Sequence, residues 1–122
     1  MSRSVKLDLG PLGFDGQYVN LFDPKYLSQR KFEEIVAEMR VAQVAAADES
    51  PEATAVRSAR IEKVGMRDRI ESWYVLDADS GEPLGDPQTA DLHGLPLGVT
   101  GAIADKIGEL FEATVPLRLR KA

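Results

Sequence analysis

Phe32, Ile35, Val36 and Met39, followed by Ala42 or Gln43, recur at three- and four-residue steps. Lys31, Glu34, Glu38 and Arg40 take other positions on the wheel. This period draws one apolar stripe along a helix, whereas a strand would scatter the same residues over both faces. It predicts an amphipathic helix over residues 28–47, the strongest in the chain. Ser28 is suited to cap it, because its hydroxyl can accept from an amide with no partner in the first turn. Such a helix has to bury its stripe against a second layer.

The residues before it read as strands. Val5, Leu7 and Leu9 alternate with Lys6 and Asp8, the period-two signal of a half-buried strand. Gly10 and Pro11 end it, and residues 13–16 read as a loop. Tyr18–Phe22 is rich in aromatic and branched residues and is expected to pair back as a β-hairpin. Asp23 and Pro24 close it, since the residue before proline is pushed away from helical geometry.

After the first helix, Asp48, Glu49, Ser50 and Pro51 interrupt the pattern. Ser50 is a cap and Pro51 fits a first helical turn. A second helix is expected over residues 52–70, with a weaker stripe of Ala53, Val56, Ile61 and Val64. Gly65 costs about 1 kcal/mol against alanine in a helix, so the helix is expected to bend or stop near it. Arg57, Arg60, Lys63 and Arg67 follow at three- and four-residue steps and are expected to form one basic track on its exposed side. Trp73, Tyr74, Val75 and Leu76 read as a short strand, residues 77–81 as a turn and residues 82–87 as an irregular crossing. Val99, Ile103, Ile107, Leu110 and Phe111 define a last amphipathic helix over residues 96–113. Val115, Leu117 and Leu119 alternate with polar residues and could pair as a strand on a partner.

The order β-β-α-α-β-α predicts an α+β fold: an N-terminal β-hairpin, about three main α-helices and a small antiparallel sheet. At 122 residues the chain is one domain that can bury a core without disulfides, with residues 116–122 as a flexible or partner-dependent tail. The absence of cysteine removes disulfides, thiolate metal sites and cysteine nucleophiles together. No secretory signal is expected, since residues 1–10 hold no long apolar run, and the longest mainly apolar run, residues 41–47, is too short to span a bilayer. A soluble intracellular protein with no membrane partner is expected.

The net charge of −5 argues against nucleic acid as a partner, since a grip on phosphates needs excess lysine and arginine. The charge is uneven. Residues 57–69 and 118–121 each carry +3, which leaves −11 on the rest. Such a division can steer an oppositely charged partner or a second copy of the chain, although charged helix faces are also simply solvated. Arg57, Arg60, Lys63, Arg67, Arg118 and Arg120 are the candidate interaction surface.

Motifs for chemistry do not assemble. Asp77, Asp79 and Gly81 resemble the start of a calcium loop, but glycine falls at loop position five, Glu82 at six and Gln88 at twelve. An EF-hand needs a ligand at five, glycine at six and glutamate at twelve, so a plain turn is expected. His93 is the only histidine; Asp91 lies near it, yet no serine sits in a strand-turn-helix elbow. Gly94, Gly98 and Gly101 lack the lysine and preceding strand of a phosphate loop. Trp73 is expected as a core anchor facing the first and last helices rather than as a binding hot spot. No catalytic residue, cofactor or metal is expected.

One resemblance emerges from longer segments. Residues 18–24 (YVNLFDP) precede a charged amphipathic helix; residues 73–84 (WYVLDADSGEPL) lead through Asp86 and Pro87 to Leu92 and Pro96 and a closing helix. This arrangement, spanning most of the chain, resembles small tail-assembly proteins of long-tailed actinobacterial bacteriophages and prophages, in particular the tail assembly chaperone type. The resemblance implies a non-catalytic protein in the host bacterial cytoplasm. It would coat the tape-measure protein before the tail tube polymerises, contact tube subunits and self-associate. It transfers no catalytic or binding residue. One alternative is a structural virion component, such as a head-tail joining or minor tail protein. A further alternative is a small ligand-binding regulator or enzyme, which convergent titratable groups in a pocket would favour.

Overall fold

The computed structural model describes residues 3–43 and 50–114. Strands β1 (Ser4–Asp8), β2 (Tyr18–Phe22) and β3 (Ile70–Tyr74) form one antiparallel sheet in the order β1-β2-β3. Helices α1 (Gln29–Gln43) and α2 (Pro51–Gly65) stand between β2 and β3, and α3 (Leu97–Thr114) closes the described chain. The fold is α+β with an N-terminal hairpin, as the patterning predicts.

Local chemistry explains most boundaries. The β1–β2 loop is a short 3-10 turn ended by Gly13, whose φ of 96° a side chain would disfavour. Leu9 N donates to Gln17 O across its base, and the Oε1 of buried Gln17 accepts from Leu76 N, tying the hairpin to the segment after β3. Asp23 accepts from Lys25 N and stops β2. Ser28 Oγ accepts from Lys31 N at 3.0 Å and Ser50 Oγ from Ala53 N at 3.1 Å, so both expected caps start their helices.

Two expected boundaries move. The second helix stops at Gly65, where a bend or stop was expected, and so does not reach residue 70; after Met66 a 3-10 turn runs over Arg67–Arg69. The third strand therefore begins at Ile70, three residues before the expected Trp73. Its register is set by distant partners: Tyr18 faces Tyr74, Val19 faces Trp73 and Leu21 faces Ile70, with an irregularity between Asn20 and Leu21. Val75 and Leu76 leave the sheet to meet the irregular crossing, where Leu84 N donates to Val75 O and Leu76 bridges to Pro83. The end of the expected first helix and the expected strand after residue 114 lie outside the described residues.

The core lies where the inner face of the sheet meets α3. Leu9, Val19, Leu21, Ile70 and Val75 pack with Leu92, Leu95, Val99 and Ile103. Trp73 is partly buried at the edge of this cluster, and its indole N–H donates to Gly85 O of the crossing. No helix among the described residues is long and apolar enough to cross a membrane.

Candidate functional site

The first helix does not submerge its stripe. Phe32, Ile35, Val36 and Met39 are half-buried, and no described residue of α1 is fully buried. The N-terminal half of α2 is likewise exposed, with Val56 66% accessible, and only Val64 near its end is buried. The two helices thus lean on each other and on the end of α3 rather than on the sheet.

Between them runs an apolar groove. One stretch of about 390 Å³ lies among Phe32, Val36, Met39, Val64, Ile107 and Phe111, with the rings of Phe32 and Phe111 6.1 Å apart. A second stretch of about 550 Å³ is lined by Met39, Ile61, Met66, Leu92, Leu95 and Leu97. Met39 and Gly65 border both. Leu97, at the first turn of α3, is 89% exposed on the rim of the second stretch. A leucine this open beside two methionines gives a surface that can adapt to an apolar partner.

The expected basic track is not one surface. Arg57 is half-buried and shares a helical face with Ile61 and Val64, so it looks toward the packed side of α2. Arg60 and Lys63 are exposed, and Lys63 Nζ holds Asp68 at 2.9 Å. Arg67 lies beyond the helix in the 3-10 turn. Its side chain is 18% exposed, and the guanidinium turns back to donate to Glu62 Oε1 and Pro87 O, each at 3.0 Å. The break at Gly65 is the reason: past it, the three- and four-residue rhythm no longer maps onto one helix face. Arg118 and Arg120 lie outside the described residues.

The other singled-out groups take local roles. Asp77 Oδ1 accepts from Asp79 N at 2.8 Å and Ser80 N at 2.9 Å, and Gly81 follows at a φ of 75°. These backbone N–H groups, that of Ser80 foremost, hold the Asp77 carboxyl below the usual carboxylate range. His93 is exposed in the 3-10 turn over Leu92–Gly94, and its own backbone N–H donates to Asp91 Oδ1 at 3.0 Å. It borders the groove with one carboxylate, Glu62, which Arg67 already engages. Among the described residues no three His, Asp or Glu side chains gather to hold a metal ion.

Sequence reasoning passed over Arg69. It is 7% exposed, the only charged side chain buried among the described residues, and its Nε–H meets no acceptor. Burial draws its pKa down, only partly offset by the neighbouring Asp68. A charged residue directly before the buried Ile70 was the available signal, hidden by the expectation that the helix ran through it.

Neither a protein-family model, nor a curated protein, nor a solved structure matches this chain.

Proposed function

We propose that this chain is a non-catalytic assembly factor of the phage tail chaperone type, engaging an amphipathic helical segment of a tail protein such as the tape measure. The observation that carries the reading is the groove between α1, the end of α2 and α3. It combines a half-covered stripe on α1 with the open Leu97. A helix laid in such a groove buries its own apolar face and completes that of α1. The segmental resemblance to tail-assembly proteins supplies the partner class. Self-association through the same surface belongs to this reading, and the uneven charge makes it salt-sensitive.

Co-expression with neighbouring tail genes, followed by pull-down, tests the proposal. Recovery of the tape-measure protein is the expected result, and recovery of nothing from that gene cluster would overturn it. Mass spectrometry of purified particles separates a chaperone from a virion component, because a chaperone is absent from the mature particle. Sedimentation at low salt and high concentration is expected to show species larger than the monomer.

A further inference from the structure

We infer that the surface pocket beside Arg69 binds a carboxylate carried on an apolar body. The pocket, about 600 Å³ and separate from the helix groove in its lining except for Arg69, opens between the end of β2, the start of α1 and the start of β3. This inference does not rest on the tail-assembly reading.

Arg69 supplies the need for an anion. A buried guanidinium whose Nε–H meets no acceptor is disfavoured, and the neighbouring Asp68 offsets only part of that cost. Asp68 is adjacent, but its two oxygens accept from Lys63 Nζ, at 2.9 and 3.2 Å, and neither meets the Arg69 Nε–H. The same pocket receives two further cations, Arg3 and Lys31. Arg3 lies over the Tyr26 ring at 5.4 Å, and Lys31 reaches Glu34 at 3.7 Å with both side chains largely in solvent. A pair that exposed holds its lysine weakly.

The remaining groups choose the kind of anion. Asp23 and Glu71 also line the pocket, Asp23 leaning on Lys25 through its backbone N–H and Nζ. With three carboxylates beside its three cations, the lining has no excess positive charge to hold a phosphate dianion or a nucleic-acid backbone. A single carboxylate matches the planar fork of arginine and adds one negative charge. Phe22 and Tyr26, both substantially exposed, offer apolar walls for whatever carries it. The source is either a free organic acid or an acidic side chain of a peptide.

The test is nitrogen-edited NMR on the full chain at constant ionic strength, following the Arg69 Nε–H, which burial protects from exchange. Sodium benzoate stands for the free acid and the capped tripeptide acetyl-Phe-Glu-Leu-amide for the side chain; inorganic phosphate is the control. Saturable shifts with one of the carboxylates are expected, the tighter probe naming the source, with phosphate about tenfold weaker. Arg3→Ala and Lys31→Ala are each expected to weaken binding by roughly threefold. In Arg69→Met, the Phe22 and Tyr26 ring signals are expected to stop responding. Shifts that never saturate with either carboxylate, phosphate binding as tightly as benzoate, or full binding by Arg69→Met would each overturn the site. Should Arg69→Met fail to fold, unchanged affinity in the Arg3→Ala/Lys31→Ala double variant would overturn it equally.

Discussion

The Oδ2 of Asp77 occupies the space where a side chain on Gly94 would begin. Ala78 N donates to Gly94 O at 2.8 Å in the same place, so the turn after β3 is clasped to the 3-10 turn before α3. Leu92 and Leu95, on either side of Gly94, belong to the core. The clasp therefore sets where α3 enters the sheet.

Gly94→Ala is expected to destabilise the protein by about 1–3 kcal/mol through overpacking. The cost should fall sharply when Asp77 is also replaced by alanine, because the obstructing carboxylate is gone. A double-mutant cycle by urea denaturation measures this coupling. Equal costs for Gly94→Ala in both backgrounds would contradict the clasp.

Acid should loosen the same turn. The folded pKa of Asp77 is depressed below its ordinary value of 3.8. Its contribution is therefore present above pH 3.8 and is lost as pH falls through the folded pKa. Asp77→Asn keeps an acceptor for Ser80 N and Asp79 N but cannot titrate. The gap in denaturation midpoint between the natural protein and Asp77→Asn is expected to shrink as pH falls below that value. A gap that stays constant across this range would remove the assignment.

Replacing Arg69 by methionine is expected to leave stability unchanged or raise it by about 1–3 kcal/mol, since it removes a desolvated charge and an unmade hydrogen bond. Thermal unfolding at neutral pH checks this. A large loss of stability would mean that the guanidinium has a counterpart within the fold.

Leu97→Ser should separate folding from partner binding. At 89% exposure the leucine contributes little to the core, and a stability change within about 0.5 kcal/mol is expected. Val41→Ser, at a position 62% exposed on α1, is expected to behave alike in denaturation. If the helix groove is the docking surface, Leu97→Ser weakens capture of the helical partner and self-association while both variants remain folded. Undiminished capture would move the interface elsewhere.

Features set by close neighbours were legible without the fold. The stripe on α1, the caps at Ser28 and Ser50, the hairpin strands and the turn at Asp77 all rest on residues a few positions apart. Hydrogen bonds of that reach leave a periodic or compositional trace. Even the stop at Gly65 was visible as a weakness in α2. The candidate site was less legible: Phe32, Val36, Met39, Ile61, Val64, Ile107 and Phe111 were visible as stripes of three separate helices, but not as one groove, and Met66 and Leu97 carried no periodic signal.

What the chain's order of residues determined by itself is therefore the type and sequence of its elements. The tertiary structure alone decided that β3 starts at Ile70 against Leu21, that Arg67 turns inward and Arg69 is buried, and that Asp77 meets Gly94. These are encounters between residues far apart along the chain, or consequences of which face a segment turns to the sheet. A one-residue change of register reverses that face, and no local spacing records it.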